Sequence, residues 1–183
     1  AVPAHRGNRM KVILISGHAQ NGKDTCAGIL KTKLTHNGYR VLICHYGDLV
    51  KYICTTFFGW NGLKDHQGRS LLQRIGTDVI REKQPDYWVN FITDILTFFQ
   101  NEWDYVIIPD TRFPNEVDRI SEKFDTVHLR VERKHFKSPL SIEQQNHPSE
   151  TALNDCKPDV LIHNDGNLED LRNKIDKTIL EVL

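Results

Sequence analysis

No apolar run in the sequence approaches the length of about 20 residues that a bilayer-spanning helix needs. Neither charge is in excess: Lys+Arg and Asp+Glu both number 24. There is thus no global electrostatic case for a nucleic-acid polymer or a membrane surface as partner. Cysteine is sparse, and Cys26, Cys44, Cys54 and Cys156 form no C-x-x-C pair. Scattered through expected core segments, they read as reduced, buried thiols of a cytoplasmic protein. The 9 histidines show no metal-ligand spacing, and no internal repeat or low-complexity tract is present. Residues 1–9 are polar and irregular, have no apolar signal-peptide core, and read as a tag remnant or disordered extension. Residues 10–183 have the length of a single domain with a proper core.

What is present is an alternation of short apolar runs with segments of helical period. Strands are expected at Lys11–Ser16, Arg40–His45, Tyr105–Ile108, Thr126–Val131 and Asp159–His163. Helices are expected at Lys23–Asn37, near Asp48–Phe58, from about Gly68 to Glu82, within Asp86–Glu102, at Asn115–Lys123 and at Leu168–Leu183. Glu132–Lys157 is polar and has no sustained period. Continuous apolar strands between helices predict an α/β fold with a central parallel five-stranded sheet covered on both faces. Ligands of such sheets sit at the carboxyl ends of the strands. The polar signatures of this chain cluster at those ends.

The strongest of them is Gly17-His18-Ala19-Gln20-Asn21-Gly22-Lys23-Asp24-Thr25, directly after the first strand. Gly17 and Gly22 leave no Cβ in the way, so consecutive N–H groups can converge on an anion. Lys23 adds a mobile charge, and the following helix adds its positive dipole end. The spacing matches the phosphate loop G-x-x-x-x-G-K-[ST] except that Asp24 replaces the hydroxyl and Thr25 comes one residue late. Asp110 closes the third strand, a setting for a carboxylate that orders Mg²⁺ on a nucleotide, or else for a cap on the short helix that follows. Asp24 could reach the same metal or simply favour the helix dipole.

Arginines recur where phosphates would need them, since a planar guanidinium suits phosphate oxygens. Arg74 and Arg81 lie seven apart, so an α-helix would put them on one face with Thr77 nearby. Arg112 follows Asp110 by two residues, and Arg130 and Arg133 bracket the start of the polar segment. Asp48, ahead of Lys51 on the second helix, either contacts an acceptor or caps that helix. His18 is the one histidine placed to approach a ligand. Trp88, Phe91 and Phe99 read as core.

Together these residues resemble the deoxynucleoside monophosphate kinase family, P-loop kinases related to adenylate kinase. The carriers are Gly22-Lys23-Asp24-Thr25, Tyr46 to Lys51, Leu72-Gln73-Arg74-Ile75-Gly76-Thr77 with Arg81, Pro85 to Val89, Asp110-Thr111-Arg112-Phe113-Pro114-Asn115-Glu116, Ser149-Glu150 and Asn164-Asp165-Gly166. The resemblance implies a three-layer P-loop kinase fold with a monophosphate-binding arm (46–85) and a lid (132–157). Gly17, Ala19, Gln20, Asn21, Gly22, Lys23, Asp24 and Thr25 would hold ATP, with Asn164 and Gly166 near its adenine. Asp24 and Asp110 would place Mg²⁺. Asp48, Lys51, Arg74, Thr77, Arg81 and Arg112 would engage the acceptor, and Arg130 and Arg133 would close on the transferring group alongside Lys23. The family's Phe-Ala-Asp reads Tyr46-Gly47-Asp48 here. Partners would be small nucleotides, with a homodimer left open. The alternatives are a phosphomevalonate kinase, which shares the G-K-D loop, and a regulatory NTPase that uses 132–157 as a partner surface. A guanine-specificity N-K-x-D motif is absent, which counts against a GTPase.

Overall fold

A computed structural model describes residues 9–182, so residues 1–8 of the expected extension and the last residue of the expected closing helix, Leu183, lie outside the described residues. The elements run β1 (Lys11–Ser16), α1 (Lys23–His36), β2 (Val41–Ile43), α2 (Gly47–Phe58), α3 (His66–Gln73), a π-helix (Arg74–Arg81), α4 (Tyr87–Phe98), β3 (Tyr105–Ile108), α5 (Pro114–Lys123), β4 (Asp125–Glu132), α6 (Ile142–Gln145), α7 (Pro148–Thr151), β5 (Val160–His163) and α8 (Leu168–Val182). Every strand pairing is parallel, and the sheet order is β2-β3-β1-β4-β5. The expected α/β sheet is thus present, with β1 at its centre.

Alternation along β1 explains why the sheet needs helices on both sides. Val12 and Leu14 face one way and pack with Val106 and Ile108, Val50 of α2, Trp88 and Ile92 of α4, and Ile120 of α5. Ile13 and Ile15 face the other way and pack with Leu30 and Leu34 of α1 and Leu171 and Ile175 of α8. Val12 through Ile15 are all fully buried, and each such side chain is worth about 1.5–3 kcal/mol of transfer free energy. β1 leaves towards β2 on one side while β3 leads through α5 to β4 on the other. Its carboxyl end, between β3 and β4, is therefore the topological switch point where such sheets bind ligands.

Besides a shortened β2, two segments depart from the expected elements. The helix expected from Gly68 to Glu82 is α-helical only to Gln73 and then widens into π turns, with the Glu82 N–H bonded to the Thr77 carbonyl. The buried Trp88 indole donates to the Gly76 carbonyl at 2.8 Å, which anchors the widened turn to α4. The aperiodic segment 132–157 contains two single-turn helices, α6 and α7. No helix among the described residues is long and apolar enough to cross a membrane.

Candidate active site

The loop between β1 and α1 is shaped by backbone that only glycine adopts easily. Gly17 has φ +143°, and a Cβ there would stand 2.2 Å from the Val131 carbonyl oxygen. Gly22, at φ +100°, caps α1, and a Cβ on it would lie 2.4 Å from Asn164 Nδ2. That amide donates to the Asn21 carbonyl at 3.0 Å, so the turn after β5 is stapled to the loop. The first N–H groups of α1 have no partner within the helix and face the same side. Lys23 folds over the loop and donates to the carbonyls of Gly17 (2.6 Å) and His18 (2.8 Å). Burial, aided by Arg112, brings its ammonium down to about 8, against the pull of Glu150, Asp24 and Asp110.

A cavity of about 580 Å³ opens from this loop across the carboxyl end of the sheet. Ala19, Gln20, Gly22, Lys23, Asp24 and Thr25 line it on the loop side. Lys51, Thr77, Arg81, Asp110 and Arg112 line it further along, so these expected site residues share one space. Its apolar wall is Val50, Leu72, Trp88, Phe113 and Leu140, with Gln73 among them.

Four side chains lie elsewhere. Arg74 is exposed and sits over the Phe58 ring at 5.8 Å, off the cavity. The reason is the π-helix: its i→i+5 winding advances each residue by a smaller angle, so residues seven apart no longer share a face. Asp48 is also exposed, in the first turn of α2, and accepts from the His45 N–H (3.2 Å) near Lys51 Nζ (3.5 Å), outside the cavity lining. Arg130 is engaged by main chain, donating to the carbonyls of Leu153, Cys156 and Asn154. Arg133 is exposed and stacks on Phe136 at 4.5 Å. Gly17, Asn21, Asn164 and Gly166 do not line the cavity; of these, Asn21 and Asn164 brace the loop.

Asp110 is a cap, but not for the helix that follows it. Its carboxylate accepts from the N–H groups of Tyr46 (3.0 Å) and Gly47 (2.8 Å), at the start of α2. Each oxygen can accept further, and Asp110 lines the cavity. Among the described residues no cluster of three or more His, Cys, Asp and Glu is arranged to hold a metal. Asp110 and Asp24 both line the cavity as carboxylates, the donor type by which proteins touch a magnesium carried mainly by nucleotide phosphates and water.

Arg69, Lys64 and His45 escaped the sequence reading, as did the structural role of the motif residue Glu116. Arg69 and Lys64 line the cavity and add cations to it. His45 links two elements: Nε2 is 3.6 Å from Asp24 of the loop and Nδ1 is 3.5 Å from Asp48 of α2. The bond with Asp24 raises the His45 pKa despite burial. Glu116, 1% exposed, accepts from Arg81 (2.6 Å) and from the N–H groups of Arg112 (2.6 Å) and Phe113 (3.1 Å). Burial nonetheless lifts its carboxyl to about 7. Arg81 also stacks on Phe113 at 3.8 Å, and its buried Nε has no acceptor in the protein. The contacts of His45 with Asp24 and of Glu116 with Arg81 join residues from distant stretches, and no local spacing signals them.

Comparison with known proteins bears on the whole arrangement. A model of the deoxynucleotide monophosphate kinase family matches residues 48–175. The deoxynucleotide monophosphate kinase of Enterobacteria phage T4 is 36% identical over 122 residues, 65% of this chain and 48% of that protein. Its counterpart from Escherichia phage RB69 is 32% identical over 113 residues, 61% of this chain and 44% of that protein. The chain thus spans about half the length of the curated relatives it matches. Among solved structures, the Mycobacterium tuberculosis APS kinase CysC in complex with AMPPNP and APS superposes with a TM-score of 0.52 at 10% identity, over 94% of this chain and 99% of that one. That likeness speaks to the fold alone, which is that of the P-loop kinases.

Proposed function

The chain belongs to the deoxynucleotide monophosphate kinase family, and from that premise we propose that its cavity transfers the γ-phosphoryl group of ATP to a deoxynucleoside 5′-monophosphate. One observation carries the reading. Lys23 of the phosphate loop and the pair Arg81 and Arg112 line a single cavity, so donor and acceptor anions can meet inside it. The cavity's volume is within the usual range for small-molecule sites.

The acceptor phosphate is already ionised at neutral pH, so no strong general base is required. One of its oxygens attacks the γ-phosphorus, the bond to the β,γ-bridging oxygen breaks, and the products are ADP and the deoxynucleoside diphosphate. Catalysis then rests on positioning and on neutralising charge spread over the moving group. Lys23 and the first N–H groups of α1 would hold the ATP phosphates. Arg81, Arg112 and Arg69 would hold the acceptor phosphate, and the orphan Nε of Arg81 is a donor in need of such an acceptor. Asp110 and Asp24 would hold magnesium together with the phosphates, and the ion would supply further charge neutralisation. The base would lie against Val50, Leu72, Trp88 and Phe113, with Gln73 and Thr77 offering polar contacts. We assign residues 46–85 to the monophosphate-binding arm and 132–157 to the lid. Arg130 and Arg133 reach the reacting group only if the lid leaves its present contacts.

The test is a coupled assay of ATP consumption with dTMP, dGMP, dCMP, dAMP and phosphomevalonate in turn. Stimulation by at least one deoxynucleotide, abolished in a folded Lys23→Ala chain, is the expected result. Turnover raised by phosphomevalonate alone, or by no acceptor, would overturn the reading.

A further inference from the structure

The anion cradle of the loop holds a carboxylate of the protein itself. Glu150, in α7, accepts from the Ala19 N–H through Oε2 at 3.0 Å and from Arg112 Nη1 through Oε1 at 2.7 Å. His18 Nδ1 stands 3.9 Å from Oε2, and only 6% of the Glu150 side chain is exposed. Burial opposes ionisation, but His18, Arg112 and the Ala19 N–H outweigh it and hold the carboxyl at about 2. The group is therefore an anion at any ordinary pH. Arg112 Nη1 also donates to the Ser149 carbonyl at 3.1 Å, so that nitrogen is committed to α7.

The same segment is fastened on its far side. His147 Nε2 lies 3.0 Å from Asp78 of the π-helix. Gln144 Nε2 donates to the His66 carbonyl and to Ser70 Oγ, both at 3.4 Å. The strap formed by α6 and α7 thus runs from α3 and the π-helix to the phosphate loop, and Glu150 is its loop-side fastening.

A carboxylate and a phosphate oxygen are both acceptors only, and one N–H cannot serve both well. Two anions in one partly buried cradle also repel. Building on the kinase reading, we propose that Glu150 is the resident anion of the phosphate site, displaced from Ala19 and Arg112 by the terminal phosphate of an incoming nucleotide. Its displacement unfastens the strap and frees Arg112 for the acceptor phosphate. Glu150 is thus a positioning residue that acts through Arg112. Binding and unfastening are reciprocal: whatever loosens Glu150 must tighten phosphate.

The experiment uses the full chain and two probes, inorganic tripolyphosphate and ATP, with affinity read by calorimetry. The isosteric Glu150→Gln removes the competing charge and should tighten both probes about tenfold, within the usual range of site coupling. Glu150→Asp, which keeps the charge, should stay near wild type. A Glu150 of merely structural importance predicts the opposite, since a damaged site binds more weakly. Hydrogen exchange gives an independent readout: in wild type, saturating tripolyphosphate should raise exchange at residues 149–151, and in Glu150→Gln it should already be raised. Affinity in Glu150→Gln equal to or below wild type overturns the proposal. Should that variant fail to fold, unchanged wild-type protection at 149–151 under saturating probe overturns it too. If Lys23→Ala binds tripolyphosphate as well as wild type does, the phosphate-loop reading itself falls and takes this proposal with it.

Discussion

The Arg81 guanidinium lies between the Glu116 carboxylate, 2.6 Å from Nη2, and the ring of Phe113, 3.8 Å from its central carbon. This contact ties the π-helix to the Asp110–Glu116 stretch, and through the Arg112 N–H it also sets the backbone that carries Arg112. Removing one partner of a buried pair leaves the other uncompensated, so Arg81→Leu should cost about 3 kcal/mol in chemical denaturation. Arg81→Lys should recover part of the stability but not the monophosphate KM, because an ammonium has neither the fork that also reaches Asn115 nor the flat face on Phe113. A Lys variant with wild-type KM would show that charge alone matters there.

Glu116 and Glu150 should respond to pH in opposite senses. Glu150 is held at about 2 in the fold against an ordinary 4.5. Its contribution is present above the ordinary value and lost as pH falls towards 2, a span worth about 3 kcal/mol. Glu116 is raised to about 7 from 4.5. The fold therefore keeps its proton longer than the unfolded chain does, and its contribution, full below 4.5, is lost as pH rises through 7. In urea titrations the deficit of Glu150→Gln should shrink between about pH 4.5 and pH 3, and that of Glu116→Gln between about pH 5 and pH 8. Deficits independent of pH would contradict both assignments.

The loop tolerates no side chain at Gly22. Alanine there meets two obstacles, a left-handed φ and a Cβ 2.4 Å from Asn164 Nδ2. Gly22→Ala should abolish ATP binding and cost about 1–3 kcal/mol, typical of backbone held in such a region. Trimming Asn164 to alanine in the same chain relieves the contact but not the dihedral, so it should restore stability only in part. Full restoration would show that the side-chain clash is the whole effect.

Legibility in the sequence followed the range of the interaction. β1, β3 and the phosphate loop could be read locally, because four apolar residues in a row and two spaced glycines each encode their own conformation. β2 ends at Ile43 and not at His45, because the His45 N–H is taken by the Asp48 carboxylate. The helix that Asp110 caps begins 63 residues earlier in the chain, beyond the reach of any local motif. Glu150 meets the Ala19 N–H across 131 residues, and no spacing announces such a pair. The π-helix could not be read from composition: Arg74–Arg81 holds Gly76 and four β-branched residues, weak α-helix formers, but nothing in that content specifies π winding, and the Trp88 bond to Gly76 is a tertiary anchor of it.

That change in winding makes a decisive pair of arginines. An α-helix through residues 74–81 would turn Arg74 towards the acceptor beside Arg81. The π turns leave Arg74 in solvent over Phe58, while Arg69, one helix earlier, lines the cavity with its Nε fixed on the Lys64 carbonyl at 2.8 Å. A cation within reach of a bound phosphate contributes about 1.5–3 kcal/mol through its charged hydrogen bonds, or roughly tenfold to a hundredfold in affinity. Arg69→Ala should therefore raise the monophosphate KM by at least about tenfold, whereas Arg74→Ala should leave it within about twofold. The ATP KM should move little in either variant, since neither residue adjoins the loop. The reverse pattern, with Arg74 the sensitive position, would mean that the segment rewinds to an α-helix when the acceptor binds, and the π turns would then belong only to the unliganded state.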